Sequence, residues 1–394
     1  MMTDITDRID STDRKGPDGA VAPNAAAARP VERSLDTRLP SIVTAASPGT
    51  VIALAVVLAA MLFAVPEVLG SFWLQVTFSA VVYSAVALGL GLLVGRAGMF
   101  SLCQVPLLAA GAWISLRIAA LVDLPFPLLL LVTGLLTGLL GAVIGIPAIR
   151  LSGLYLALIT LMAAGAITLL LKVFKFPNGG GGFWGFDKTV SSGAVALDRP
   201  SWVPSDVSFF RYTVVVVALL FLLVGWHIKG KPGRAWASIR QSQVTAVAAG
   251  VDTTLYKLWA FALSAFVTGV AGALLAAGPG GVSVNQFPVE QSIVLLAVVL
   301  MGGVYNIWGA LVAGFLLRVL PQLLDQKLGL DPEILTILFG FGVMQVLLTA
   351  PGGIVGDLTK LGKKIVGLFT RRSSTPSTPS TPSTPAPTDT AAAA

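Results

Sequence analysis

The 394-residue chain is 55% hydrophobic and only 11% charged, with a mean hydropathy of +0.85. A soluble globular domain carries about 25% charged residues, so this composition excludes that class and specifies a polytopic membrane protein. The net charge of +7 does not point to nucleic acid, because the bases cluster at predicted membrane edges, and a single cysteine, Cys103, and a single histidine, His227, exclude a disulfide framework and a Cys/His metal cluster.

Residues 1–48 mix acids, bases, Ala and Pro without an apolar core segment, and are expected to form a disordered cytoplasmic tail rather than a signal peptide. Apolar runs dominate residues 49–357. A span needs about 20 apolar residues. Ten candidates follow, at roughly 51–69, 72–94, 102–122, 126–149, 153–174, 210–228, 257–278, 287–303, 306–323 and 333–350. The eighth and ninth are short and separated by a Gly-rich stretch, which predicts a half-helix or re-entrant segment there. Residues 358–394 are basic and then Ser/Thr/Pro-rich, a second expected disordered cytoplasmic tail. The expected fold is all-α: a membrane helical bundle of about ten transmembrane helices with broken helices.

Placing both termini inside puts most Lys and Arg on the inner side. These are six in the N-terminal tail, Arg96, Arg150, five from Lys229 to Lys257 and five after residue 350. Arg117, Lys172, Lys175, Lys188, Arg199, Arg211, Arg318 and Lys327 fall within spans or outside. Trp226 and Trp259 lie at inner span ends, Trp73 and Trp202 at outer ones, and His227 reads as an interfacial anchor. This frame places the chain in the cell membrane, plasma or inner. Small residues four apart, at Gly91/Gly95, Gly134/Gly138, Gly141/Gly145 and Ala310/Gly314, predict close helix packing. No Asp or Glu lies mid-span, since Glu67 and Glu290 are near span ends and Asp123 is in a turn. The nearest text to a nucleotide-binding loop, Gly362-Lys363-Lys364, lacks its spacing and its Ser/Thr. Uphill transport would therefore draw on energy from another chain.

Three segments carry functional expectations. The inner loop 229–256 is basic and amphipathic. Trp236, Ile239 and Val247 fall near one helical face, with Arg240 and Gln243 beside them. Gly250 suits a left-handed C′ position, and Asp252 or Thr253 can cap the next helix. Such a helix suits a soluble partner or the headgroup layer. The outer loop holds four consecutive glycines, Gly179–Gly182, between Asn178 and Phe183. Their amides suit a ligand or docking protein, or the stretch is a plain connector. Breaks at Gly95–Gln104 and Gly302–Gly309 interrupt apolar runs with Ser101, Gln104, Tyr305 and Asn306. Broken helices at depth must be buried or line a cavity, which makes these four residues candidates for a substrate path. Surface loops between helices are the alternative.

The stretch GRAWASIRQSQVTAVAAGVDTTLYKLWAFALSA, residues 233–265, resembles the permease subunits of branched-chain amino acid ABC importers of the LivM type. Leu88–Trp113, Ile146–Leu161, Val298–Leu317 and Leu338–Val355 resemble further family segments in the right order. The resemblance implies that the inner loop is a coupling helix inserted into an ATP-binding subunit, through Arg234, Trp236, Ile239, Arg240, Gln243, Ala246 and Gly250. It implies docking of an extracytoplasmic solute-binding protein near Asn178, Gly179, Gly180 and Phe183. It also implies a second homologous permease chain and two ATP-binding subunits. ATP and Mg would sit on those partners, with no cofactor, metal or catalytic residue on this chain.

Several positions depart from the family pattern: Gln241–Gln243 where acids are common, Val244 in place of a usual glutamate, and the surroundings of Gly91, Cys103, Gly165 and Gly352. Permeases for urea and short-chain amides look closely similar and form the alternative reading. A self-sufficient channel has no need of the basic inner loop, and a scaffold has no need of broken helices.

Overall fold

The computed structural model describes residues 56–151, 153–174 and 196–328, with isolated helical positions between 334 and 354. Both predicted tails, the Gly-rich loop with Asn178, Gly179, Gly180 and Phe183, and most of the predicted tenth span lie outside the described residues.

Among the described residues every regular element is helical. They are α1 Val56–Val68, α2 Ser71–Ala97, α3 Gln104–Leu121, α4 Phe126–Ala148, α5 Leu154–Val173, α6 Asp206–Lys229, α7 Lys231–Gln241, α8 Gln243–Ala248, α9 Thr253–Ala276, α10 Gln291–Gly302 and α11 Ile307–Leu328. Seven of them, α2 to α6, α9 and α11, are long and apolar enough to cross a membrane. α10 has 12 residues, about 18 Å at 1.5 Å per residue, against a hydrocarbon core of about 30 Å. Of the eighth and ninth spans, where a half-helix or re-entrant segment is expected, the eighth is the short one and the ninth is full length. α10 starts late because residues 287–290, which include Pro288, are not helical. α6 starts four residues before the predicted span, because Ser205 and Ser208 form a capping box. A hydropathy window does not register that polar first turn.

α9 is the spine of the bundle, packed on α2, α3 and α4. Gly134, Gly138, Gly141 and Gly145 of α4 lie against α9 between Leu258 and Val270, so the small-residue pairs there bring two backbones together as their spacing predicts. The pair Gly91/Gly95 behaves differently. Nothing lies within 4 Å of a Cβ built on Gly91, whereas Gly95 abuts the Val304 backbone.

Two faces are distinguishable. Arg96, Arg240 and Lys257 gather at one end, where Arg240 reaches the Gly95 carbonyl and Lys257 the Ile149 carbonyl. At the opposite end Arg199 donates to the Ala277 carbonyl and pairs with Asp206 at 2.6 Å.

Candidate functional site

α7 and α8 lie on the basic face between α6 and α9. Pro232 opens α7, where its missing N–H costs nothing. The apolar stripe Ala235, Trp236 and Ile239 is buried, and Trp236 Nε1 donates to the Tyr256 carbonyl at 2.7 Å, tying α7 to the start of α9. The helix stops at Ser242, which is extended at φ −161° and accepts from Thr245 N at 3.3 Å to start α8.

This kink corrects the expectation of one helix with one apolar face. Trp236 and Ile239 face the bundle, whereas Val247 is 59% exposed and Val244 81% exposed. Of the predicted coupling residues, Trp236, Ile239 and Ala246 are buried, while Arg234, Gln243 and Gly250 are open to the exterior. Gly250 has φ +77°. Gly250 N donates to the Val247 carbonyl and Val251 N to the Ala246 carbonyl, both at 2.9 Å, a Schellman closure. Asp252 then caps α9 by accepting from Thr254 N and Leu255 N.

Arg240 turns back toward the bundle. Its Nη1 donates to the Gly95 carbonyl at 2.5 Å and its Nη2 to the Tyr305 hydroxyl at 2.6 Å. Its Cζ lies 4.6 Å from the Tyr305 ring centre. Its stem crosses Gly98, where a Cβ would meet Arg240 Cγ at 3.0 Å and φ is +69°. Arg96 Nη2 donates to the Tyr305 carbonyl at 3.3 Å. Asn306 Oδ1 accepts from Trp308 N at 3.2 Å and starts α11. One side chain of α7 thus holds both helix breaks, Gly95–Gly98 and Gly303–Asn306.

Tyr305, Asn306 and Arg96 line a narrow crevice with Leu88, Val224, Val299 and Ile307. It has room for little more than about one water. Ser101 and Gln104 are elsewhere, each 1% exposed. Gln104 Nε2 donates to Ser264 Oγ at 2.8 Å, and its Oε1 accepts from Thr268 Oγ1 at 2.7 Å. The first break is thereby sealed onto α9 by a satisfied polar triad. The four candidate path residues therefore form two groups: Tyr305 and Asn306 at the crevice, Ser101 and Gln104 in the closed interior. Sequence reasoning overlooked Arg96 as a crevice residue and Val244 as the exposed knob. A lone Arg at the end of a Gly-rich apolar run was the available signal for the first.

The chain matches the family described as branched-chain amino acid transport system / permease component over residues 72–348. It belongs to this family. The permease is 30% identical over 260 residues to the high-affinity branched-chain amino acid transport system permease protein LivM of Salmonella typhimurium, covering 62% of this chain and 61% of that protein. It is 29% identical to the LivM protein of Escherichia coli over the same share. It is 25% identical over 245 residues to the probable branched-chain amino acid transport permease protein LivM of Methanocaldococcus jannaschii, covering 58% and 69%. The permease spans about three-fifths of the length of the first two relatives. No solved structure matches it.

Proposed function

We propose that this permease is the membrane subunit of an ABC importer, translocating branched-chain or similar small amino acids with ATP hydrolysed by partner chains. The observation that carries the reading is the kinked α7–α8 handle. It leaves Val244 and Val247 exposed while Trp236 and Arg240 anchor the same segment to the spans. An exposed apolar knob on a rigid mount suits contact with a soluble subunit. The basic face is assigned to the cytoplasm by the positive-inside rule, with both termini on that side and the chain in the cell membrane.

The remaining partners are a second permease chain, two ATP-binding subunits that hold ATP and Mg, and an extracytoplasmic binding protein docking near Asn178, Gly179, Gly180 and Phe183. Tyr305 and Asn306 mark the inner end of the path, and Ser101 and Gln104 an interior segment that opens only when α3 and α9 separate.

The test is reconstitution into vesicles with and without the partner chains. The reading expects leucine uptake only from the full assembly with ATP. Leucine flux through the purified single chain would overturn it in favour of a facilitator.

A further inference from the structure

Among the described residues, Arg318 is a part-buried charged side chain near the middle of a span. Arg318 is near the centre of the 21-residue span Ile307–Lys327, and Tyr83 is near the centre of the 27-residue span Ser71–Ala97. The two helices cross there, since Gly314 abuts the backbone of Ala80 and Ser84. Arg318 Cζ sits 4.1 Å from the Tyr83 ring centre. The Nε of Arg318 and the hydroxyl of Tyr83 are buried without a hydrogen-bond partner. Among the described residues no carboxylate pairs with Arg318.

A guanidinium at the bilayer centre cannot be left to lipid, so such residues face water, cargo or protein. The rest of α11 indicates which surface this is. Gln322 and Asp325, four and seven residues on, share its helical face, and Asp325 is exposed. Ile307, eleven residues earlier and three turns away on nearly the same face, lines the crevice beside Arg96 and Tyr305. A polar line thus runs along α11 from the end opposite the basic face to the midplane, and between it and the crevice Gly314 closes α11 onto α2. Cargo that is a zwitterion brings a carboxylate to this depth, and the planar two-donor edge of a guanidinium matches it.

We propose that Arg318, held over Tyr83 at the membrane midplane, binds the α-carboxylate of a small aliphatic amino acid on the transport path. The assignment rests on the importer reading above.

The test uses the complete assembly in vesicles, with Cys103→Ser and Arg318→Cys in this chain and leucine as the probe. Leucine uptake should fall about 100-fold, as expected for loss of one partner of a desolvated charge pair. A thiol reagent that attaches an aminoethyl group should restore uptake about tenfold, because it returns a cation to the site. A reagent attaching a neutral methyl group should not, and leucine should slow both reactions. Uptake unchanged in Arg318→Cys, or equal restoration by both reagents, overturns the proposal. So does loss of the second permease chain from the purified assembly, which would make Arg318 the partner of a carboxylate across that interface. Should Arg318→Cys fail to insert, Arg318→Lys takes its place: KM for uptake should rise about tenfold with assembly intact, and an unchanged KM overturns the site. An unsubstituted assembly that takes up no amino acid would overturn the importer reading instead.

Discussion

The Arg240 guanidinium donates to the Tyr305 hydroxyl at 2.6 Å while lying 4.6 Å from the centre of its ring. This pair joins α7 to the break between α10 and α11, and the second arm of the same guanidinium holds the Gly95 carbonyl of the other break. A displacement of α7 must therefore either carry both breaks or tear out charge-assisted hydrogen bonds, each worth about 1.5–3 kcal/mol. We predict that Arg240→Ala uncouples the assembly. ATP hydrolysis should persist, while uptake per ATP falls about tenfold or more. Arg240→Lys should not restore it, because an ammonium cannot span two acceptors and stack on a ring. Vesicle uptake measured beside ATP consumption checks this, and normal coupling in Arg240→Ala would sink it.

Gly250 provides a second prediction. Its φ is +77° and nothing lies within 4 Å of a Cβ built there, so any penalty for a side chain comes from the backbone rather than from space. Gly250→Val should cost about 1 kcal/mol or more and disturb the closure by Val251 and Ala246 that sets the exit from α8. Gly250→Asn, which tolerates this conformation, should behave nearly as the unsubstituted chain. Co-purification of the ATP-binding subunit is the readout. Equal loss with Val and Asn would show that the side chain, not the conformation, is at fault.

Much of this architecture is legible in the sequence, for identifiable reasons. Leu154–Val173 and the span beginning at Phe126 are long apolar runs bounded by Gly, Pro or charge, so their limits fall within a residue or two of the expected ones. The two breaks are legible because glycines and isolated polar residues interrupt apolar text. The kink at Ser242 is not, because helix-compatible residues continue on both sides and only the cap geometry ends α7. The fate of Gln104 is not legible either. Its partners Ser264 and Thr268 lie 160 and 164 residues away, and no local pattern announces that pairing. Arg318 was visible as a lone base in the ninth span, but its stacking on Tyr83 appears only when α2 and α11 are brought together.

The handle separates anchoring from docking, which supplies a third prediction. Trp236 is fully buried and hydrogen-bonded to Tyr256. Trp236→Ala should destabilise the chain by about 3–5 kcal/mol, seen as a lower melting temperature in detergent. Val244→Asp and Val247→Asp place charge on an exposed surface, so the chain should stay as stable as before. They should nonetheless weaken capture of the ATP-binding subunit about tenfold or more, because a carboxylate desolvated in an interface is costly. Retained capture by both Asp variants would move the docking surface away from α8, toward Arg234 and the exposed side of α7.

The last prediction concerns water at the two breaks. Thiol reagents attack thiolate, which needs an aqueous surrounding to form. Ser101 and Gln104 are each 1% exposed, whereas Tyr305 is 39% exposed at the mouth of the crevice. In a Cys103→Ser chain without nucleotide, Tyr305→Cys should react readily with a small polar thiol reagent. Ser101→Cys should react slowly, because its surroundings exclude water. Gln104→Cys should begin slow as well, but it also removes the amide that bridges Ser264 and Thr268 and so loosens the seal between α3 and α9. Adding ATP-binding subunits, nucleotide and binding protein should speed the reaction at Ser101 if the path opens by parting those two helices. Rapid labelling at Ser101 in the resting chain would show that the first break is already wet. Failure to label there in any state of a transporting assembly would place the route wholly along α11.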